Sequence, residues 1–266
     1  MTEIERLYLD LLKKSLSDSL RLDKPMFRIK DNVLLNVVNK ILMTVNYSVI
    51  KVLFPKREDL IEGKMLPPTA ESMIGFKRLD NIQYCIEEVV KNKIEGDILE
   101  TGAWRGGATI LMRAVLKVLN VTDKKVWVAD SFEGLPKPSF EADMGDKYYL
   151  FKGLNVGLEE VKENFERYSM LDDQVVFLKG WFKDTLPVAP IDKLSILRLD
   201  GDMYESTMDG LNNMYHKLSI GGYCIVDDYG CVPACKTAIE EFRAKHEITD
   251  EIHKVDWTGV YWKKTK

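Results

Sequence analysis

Apolar residues recur along this chain at two spacings, helical in some stretches and strand-like in others. Ile4, Leu7, Tyr8, Leu11 and Leu12 fall at helical spacing, and residues 33–47 repeat the pattern beyond Pro25. The second helix is apolar on more than one face, which predicts packing against the main body, a subunit contact or a lid. Pro67-Pro68-Thr69 reads as a stiff entry to another helix, with Thr69 as N-cap and Glu71-Ser72-Met73-Ile74 in its first turns. A helix over Phe76–Lys91 places Leu79, Ile82, Cys85, Ile86 and Val89 on one face. Short apolar runs then alternate with helical patterns, giving strands at 94–100, 125–130, 174–179, 194–200 and 223–228. This alternation predicts a doubly wound α/β fold, with a mostly parallel sheet covered on both faces. The runs 251–255 and 258–262, joined by Asp256-Trp257, predict an antiparallel hairpin at one edge, for seven strands in all. Residues 131–153, rich in Gly, Pro and charge, read as a long mobile loop. The expected division is a helical extension over 1–65 and the α/β domain over 66–266.

Composition narrows the class. With 266 residues and 45% hydrophobic content, the chain can bury one full core. A net charge of -4 argues against a nucleic-acid partner. Four irregularly spaced cysteines, Cys85, Cys224, Cys231 and Cys235, fit a reducing compartment better than a disulfide framework. The first twenty or so residues are charged and amphipathic, unlike a secretory signal. The most apolar window, 33–54, is interrupted by Asn36, Asn39, Lys40, Asn46 and Lys51, so no membrane span is expected. A cytoplasmic location follows as the expectation.

The chemistry concentrates in Gly96-Asp97-Ile98-Leu99-Glu100-Thr101-Gly102-Ala103-Trp104-Arg105-Gly106-Gly107, which runs from a strand through a glycine-rich turn into a helix. Such a turn brings backbone N–H groups close to a nucleotide-like ligand. Glu100 closes the strand where a pyrophosphate site avoids negative charge, and the loop departs from G-x-G-x-x-G. A ligand with a sulfonium and an amino group, such as S-adenosylmethionine, suits that carboxylate, and Glu100, Thr101, Gly102 and Trp104 are its expected neighbours. Asp130 ends the next strand, where it either holds ribose hydroxyls or caps a turn. Gly180, Trp181 and Phe182 follow the third strand, and the aromatic pair either stacks on an adenine or packs in the core. Thr69 joins this candidate cofactor set.

Asp200 and Asp202 end the fourth strand, and Asp227 and Asp228 the fifth, so like charges converge on one sheet edge. They repel unless a cation sits among them, and all-oxygen ligands suit Mg²⁺. The other reading is that they cap helices or pair with Arg198 and Lys236. Cys231 and Cys235 lack the further ligands of a zinc site, and His216 is a weaker candidate base than the aspartates.

With these motifs in order, the chain resembles the macrocin O-methyltransferase family, metal-dependent enzymes that methylate sugar hydroxyls of natural products. The resemblance runs from about Met65 to the C-terminus. It rests on Met73-Ile74-Gly75 through Arg78-Leu79-Asp80-Asn81, on the Leu99 to Gly107 loop, and on Asp130-Ser131-Phe132-Glu133-Gly134-Leu135-Pro136. Gly180-Trp181-Phe182, Asp200-Gly201-Asp202-Met203-Tyr204-Glu205-Ser206-Thr207, and Gly221-Gly222-Tyr223 through Asp227-Asp228-Tyr229 complete it. It implies a class I methyltransferase, Rossmann-like, with Glu100 and Gly102 at the methionine end of S-adenosylmethionine, Asp130 on the ribose, and Ser131 and Trp181 by the adenosine. Asp200, Asp227 and Asp228 are its implied Mg²⁺ ligands. Some relatives carry a His three residues past the first metal Asp; Met203 stands here, leaving Asp200 or Asp202 as base. The implied partner is a small glycosylated or hydroxylated acceptor, with a homo-oligomer expected from the apolar N-terminal helix. A catechol-type O-methyltransferase and a catalytically silent donor-binding protein are the competing readings.

Overall fold

The computed structural model describes residues 1–21, 26–28, 33–52, 56–65 and 69–266; Pro25 and the Pro67-Pro68 pair lie outside them. Two short strands near the N-terminus, β1 (Met26–Arg28) and β2 (Ile50–Val52), pair antiparallel. The central sheet holds β3 (Asp97–Thr101), β4 (Val126–Asp130), β5 (Val175–Lys179), β6 (Leu194–Leu199), β7 (Leu218–Val226), β8 (His253–Lys254) and β9 (Val260–Lys263). Their order is β5-β4-β3-β6-β7-β9-β8. The strands β3 to β7 run parallel, whereas β9 is antiparallel to β7, and β8 to β9. The expected hairpin is therefore present at the edge. The one large boundary difference is β7, which begins at Leu218 rather than near Tyr223. Gly221 there adopts φ 87°, and the register against β6 shifts between Leu194 and Ile196, so a Gly-Gly pair that reads as a turn sits inside an irregular strand.

Helices cover both faces. The labels run α1 (Glu3–Leu16), α2 (Val33–Met43), α3 (Arg57–Ile61), α4 (Phe76–Lys91), α5 (Gly107–Val118), α6 (Leu158–Arg167), α7 (Phe182–Thr185), α8 (Tyr204–Met214) and α9 (Pro233–Lys245). One core joins α1, α4, α5 and α6 to Ile98, Val126, Val128, Ile196, Tyr223 and Ile225. The other joins α8 and α9 to Leu99, Trp127, Ala129, Leu197, Leu199 and Cys224. Adjacent residues feed opposite cores, as the two-residue period of a strand requires. In α4 the buried residues include the expected Leu79, Ile82, Cys85, Ile86 and Val89.

The N-terminal part differs from its pattern in two ways. Helix α1, fixed by a capping box between Thr2 and Glu5, buries Leu9, Leu12 and Leu16, while Ile4, Leu7 and Leu11 stay 79%, 61% and 55% exposed. The helical spacing is right, and of the set it picks out Leu12 faces inward, beside Leu9 and Leu16. Residues 69–75 form no helix, and Thr69 is not an N-cap: its hydroxyl donates to Asp18. The Glu71 and Ser72 N–H groups both donate to Leu16 O at 3.0 Å, and Gly107 N–H donates to Glu71 O at 3.0 Å. The segment is thus threaded between the end of α1 and the start of α5, and its backbone bonds go there instead of into a helical turn.

The segment between β4 and α6 is more tied down than a loose loop. Asp143, 3% exposed, accepts from the N–H groups of Tyr204 (2.7 Å) and Glu205 (3.0 Å) at the start of α8. Phe140 stacks on Tyr204 with ring centroids 5.5 Å apart, and Ser139 donates to Glu205.

Candidate active site

In the sheet order, the chain winds outward from β3 through β4 to β5, then returns to place β6 on β3's other side. The strand order reverses between β3 and β6, and open α/β sheets hold ligands in the crevice at that point. A cavity of about 480 Å³ opens there, bordered by Glu100, Asp130, Trp181, Asp200, Asp202 and Asp228 among others.

Strand register explains the charged floor. Glu100 lies opposite Arg198 on β6, which lies opposite Ile225 on β7. Glu100, Arg198 and Asp227 therefore point to the same face by alternation. Arg198, fully buried, donates to Glu100, to Asp200 Oδ2 at 2.6 Å and to Asp227 Oδ1. From α4, Arg78 donates to Asp227 Oδ2 and, at 2.9 Å, to Asp256 Oδ2. The reading that the aspartates pair with Arg198 is correct for Asp200 and Asp227, while Lys236 pairs with Glu240 instead. Two guanidinium groups still leave a carboxylate excess, because Glu100, Asp200, Asp202, Asp227, Asp228 and Asp256 all meet here. Burial pushes the Glu100 carboxyl up to about 8 against the pull of Arg198, and burial with Asp227 nearby pushes Asp200 to about 6. Burial beside Asp200 raises Asp202 to about 7, and burial with Asp202 and Asp200 nearby lifts Asp228 well above the usual carboxylate range. Such a cluster gains from a cation.

Asp200, Asp227 and Asp228 each offer an oxygen within 4.8 Å of the others. An all-carboxylate donor set of this spacing fits a hard divalent ion. Asp202 reaches the same end of the cavity from a backbone with φ 56°, a left-handed conformation that is costly outside glycine. Its N–H donates to Asp228 Oδ2 at 3.1 Å. Met203, where some relatives are expected to carry His, is 1% exposed.

Beside the aspartates on the same floor, Glu100 Oε2 is buried and has no hydrogen-bond partner. A buried acceptor without a donor fits an ammonium group such as that of a bound methionine moiety. Gly102 (φ 94°) has its missing Cβ directed at the Asp200 carbonyl, so only glycine lets the β3 and β6 loops approach this closely. The loop's N–H groups are already used: Ala103 (2.7 Å) and Trp104 (3.3 Å) donate to Asp130 Oδ2. Asp130 Oδ1 accepts from Phe132 N–H at 2.7 Å and from the Ser131 hydroxyl at 3.5 Å. Asp130 thus does cap the turn, as well as bordering the cavity.

The cavity brings together most of the candidate residues, including Gly102, Trp104, Ser131 and Trp181. Three lie off its wall. Thr69 borders a separate surface groove, Thr101 is 1% exposed with its hydroxyl on Arg198 O, and Gly180 donates its N–H to Asp130 O. All three histidines are exposed, and His216 and His246 line a different groove. Cys231 borders the cavity as a free thiol. Arg78, Ser72 and Thr258 also border it and were missed. Arg78 had one legible signal: it shares the buried face of α4 with Ile82 and Cys85, where a charge needs partners.

The chain's likenesses agree with this geometry. The sequence model of the macrocin-O-methyltransferase (TylF) family matches residues 5–264, reaching well before Met65. The demethyldecarbamoylnovobiocin O-methyltransferase of Streptomyces niveus is 53% identical over 209 residues, 77% of this chain and 80% of that protein. A tetracenomycin-pathway enzyme of Streptomyces olivaceus, an 8-demethyl-8-(2,3-dimethoxy-alpha-L-rhamnosyl)-tetracenomycin-C 4'-O-methyltransferase, is 44% identical across 100% of this chain and 95% of its own. The solved structure of the O-methyltransferase NovP superposes with a TM-score of 0.87 at 45% identity, covering 98% of this chain and 100% of NovP. With its seven-stranded methyltransferase fold and a family match over nearly its whole length, this chain belongs to the macrocin O-methyltransferase family and is an O-methyltransferase.

Proposed function

We propose that this enzyme transfers the methyl group of S-adenosylmethionine to a hydroxyl on the sugar of a glycosylated natural product, with Mg²⁺ held by Asp200, Asp227 and Asp228. The observation that carries the reading is that one cavity is bordered both by Glu100, with its unpartnered oxygen, and by the three-aspartate cluster. The rhamnosyl group in the name of the Streptomyces olivaceus relative supports the acceptor class.

When bound, S-adenosylmethionine supplies an electrophilic methyl on sulfur, and Mg²⁺ supplies Lewis acidity for an acceptor oxygen. The chain's own residues do the rest. Glu100 and Gly102 would hold the methionine end, and Ser131 and Trp181 the adenosine end. At Asp130, a ribose hydroxyl would share the acceptor sites now holding the longest contacts, Trp104 N–H at 3.3 Å and Ser131 at 3.5 Å. Thr101 and Gly180 would support this wall from behind, through Arg198 O and Asp130 O, whereas Thr69 faces Asp18 away from it. Asp202 is the base: it borders the cavity, and among the described residues neither Arg78 nor Arg198 pairs with it. It would take the hydroxyl proton while the methyl passes from the donor sulfur to the acceptor oxygen, the S–CH₃ bond breaking as O–CH₃ forms. Asp200 then serves as ligand.

The test is methyl transfer to glycosides and to catechols, each with Mg²⁺ or EDTA, beside S-adenosylhomocysteine binding. Turnover of glycosides that EDTA abolishes supports the proposal. Turnover of catechols alone favours the small-phenol reading, and donor binding without turnover of any acceptor favours a silent protein. The apolar residues left exposed on α1 (Ile4, Leu7, Leu11) and on α2 (Leu34, Val37, Ile41) support a homo-oligomer, which light scattering would detect and Leu7→Glu with Leu11→Glu would disrupt.

A further inference from the structure

Arg78 occupies a place built for it. The residue is 8% exposed, and its guanidinium forks between two carboxylates, with Nη1 on Asp227 Oδ2 and Nε on Asp256 Oδ2 at 2.9 Å. Nη2 donates to the carbonyl of Gly63 at 3.4 Å. Two glycines make the room: a Cβ at Gly63 would collide with Nη2, and one at Gly259 would lie 2.9 Å from the Arg78 Cδ. Asp256 in turn is committed on its other oxygen, which accepts from Thr258 N–H at 2.9 Å and Gly259 N–H at 2.7 Å. The hairpin turn is thereby fixed, and Thr258 returns a hydrogen bond to Asp227 O at 2.9 Å.

The consequence falls on Asp227. Arg198 holds one of its carboxylate oxygens and Arg78 the other. Neither guanidinium touches Asp228, and only Arg198 touches Asp200. The cluster thus contains one carboxylate with a guanidinium on each oxygen and two without, Asp200 meeting one guanidinium and Asp228 none. Clamping fixes the direction of Asp227, and the added positive charge opposes a divalent ion beside it.

We propose that Arg78 is a positioning residue that orients Asp227 in the cation site and lowers that site's affinity for the divalent ion, so that the bound ion stays exchangeable and its acceptor-facing side correctly placed. This rests on the reading that Asp200, Asp227 and Asp228 hold the ion. A guanidinium fork is required, because a lysine ammonium cannot serve Asp227 and Asp256 in one plane.

Mn²⁺ binding followed by electron paramagnetic resonance, with the whole chain and saturating S-adenosylhomocysteine, tests this. Because Arg78→Met alone strands two buried carboxylates, it is compared with Arg78→Met combined with Asp256→Asn, which removes the pair together. The double variant deletes a positive charge that touches Asp227 and a negative charge that does not, so it is expected to bind Mn²⁺ roughly two- to fivefold more tightly than the unaltered chain. At saturating Mn²⁺ its kcat falls while S-adenosylhomocysteine affinity holds, and Arg78→Lys falls between the two. Mn²⁺ affinity equal to or weaker than that of the unaltered chain overturns the role of Arg78. If the unaltered chain binds no Mn²⁺, or binds it equally well with Asp228→Asn, the cation site itself is overturned and the role of Arg78 with it.

Discussion

Because Glu100 gives one carboxylate oxygen to Arg198 and leaves the other without a partner, Glu100→Gln preserves shape while removing a carboxyl that an ammonium beside it would hold ionised. Hydrogen bonds to charged groups contribute about 1.5–3 kcal/mol, so S-adenosylhomocysteine affinity should fall roughly 10- to 100-fold in calorimetric titration. An unchanged affinity would place the donor elsewhere. Asp202→Asn makes a different prediction. Loss of a positioned base costs about 10²–10⁴ in rate, so kcat should drop by that order while donor affinity holds. A drop in donor affinity with little loss of kcat would instead make Asp202 a binding group. These residues were legible because strand ends are where an α/β sheet binds, and acidic residues ending neighbouring strands converge whatever the loops do. Arg78 was not legible as a partner of Asp227, since that pairing depends on how α4 lies across the sheet, which no local spacing records.

At the level of elements, Asp143 acts as a long-range N-cap. Helix α8 has no capping side chain at Met203, and the carboxylate of a residue sixty positions earlier accepts its first N–H groups instead. Asp143→Ala should therefore cost about 0.5–2 kcal/mol, seen as a lower unfolding midpoint, with faster proteolysis inside residues 131–157. Equal proteolysis in both chains would mean that the Phe140–Tyr204 stack and Ser139 suffice to hold the segment. The sequence of that segment, heavy in Gly, Pro and charge, conveys the absence of strands and α-helices but neither its three short 3-10 turns nor its tethers. The same limit applies around Thr69. Its side chain has the chemistry of an N-cap, yet the backbone beyond it bonds to Leu16 and Gly107, and these tertiary partners outweigh a local preference. Strands β3 to β6 and helix α4 came through because their apolar periods coincide with the faces they bury.

Across the whole molecule, the acidic cluster links folding to pH and to the cation. Asp200 and Asp202 move from an ordinary 3.8 to about 6 and about 7, and Glu100 from 4.5 to about 8, each chiefly through burial. Between the ordinary values and the raised ones, the folded chain holds protons that the unfolded chain has released. Stability must then fall as pH rises across that window and level off above it, the reverse of a salt-bridged carboxylate with a depressed value. With EDTA present, the unfolding midpoint should decline from about pH 5 to about pH 8. A divalent cation that binds the ionised carboxylates reverses the balance, because its affinity rises as the protons leave. The Mg²⁺-induced rise in midpoint should accordingly be small near pH 5, large near pH 8, and lost in Asp228→Asn. The measurement is a pH series of thermal unfolding with EDTA or Mg²⁺, in buffers of low temperature coefficient. A midpoint that rises with pH in EDTA would mean that Arg78 and Arg198 already neutralise the cluster. A Mg²⁺ effect independent of pH would place the ion away from these three aspartates.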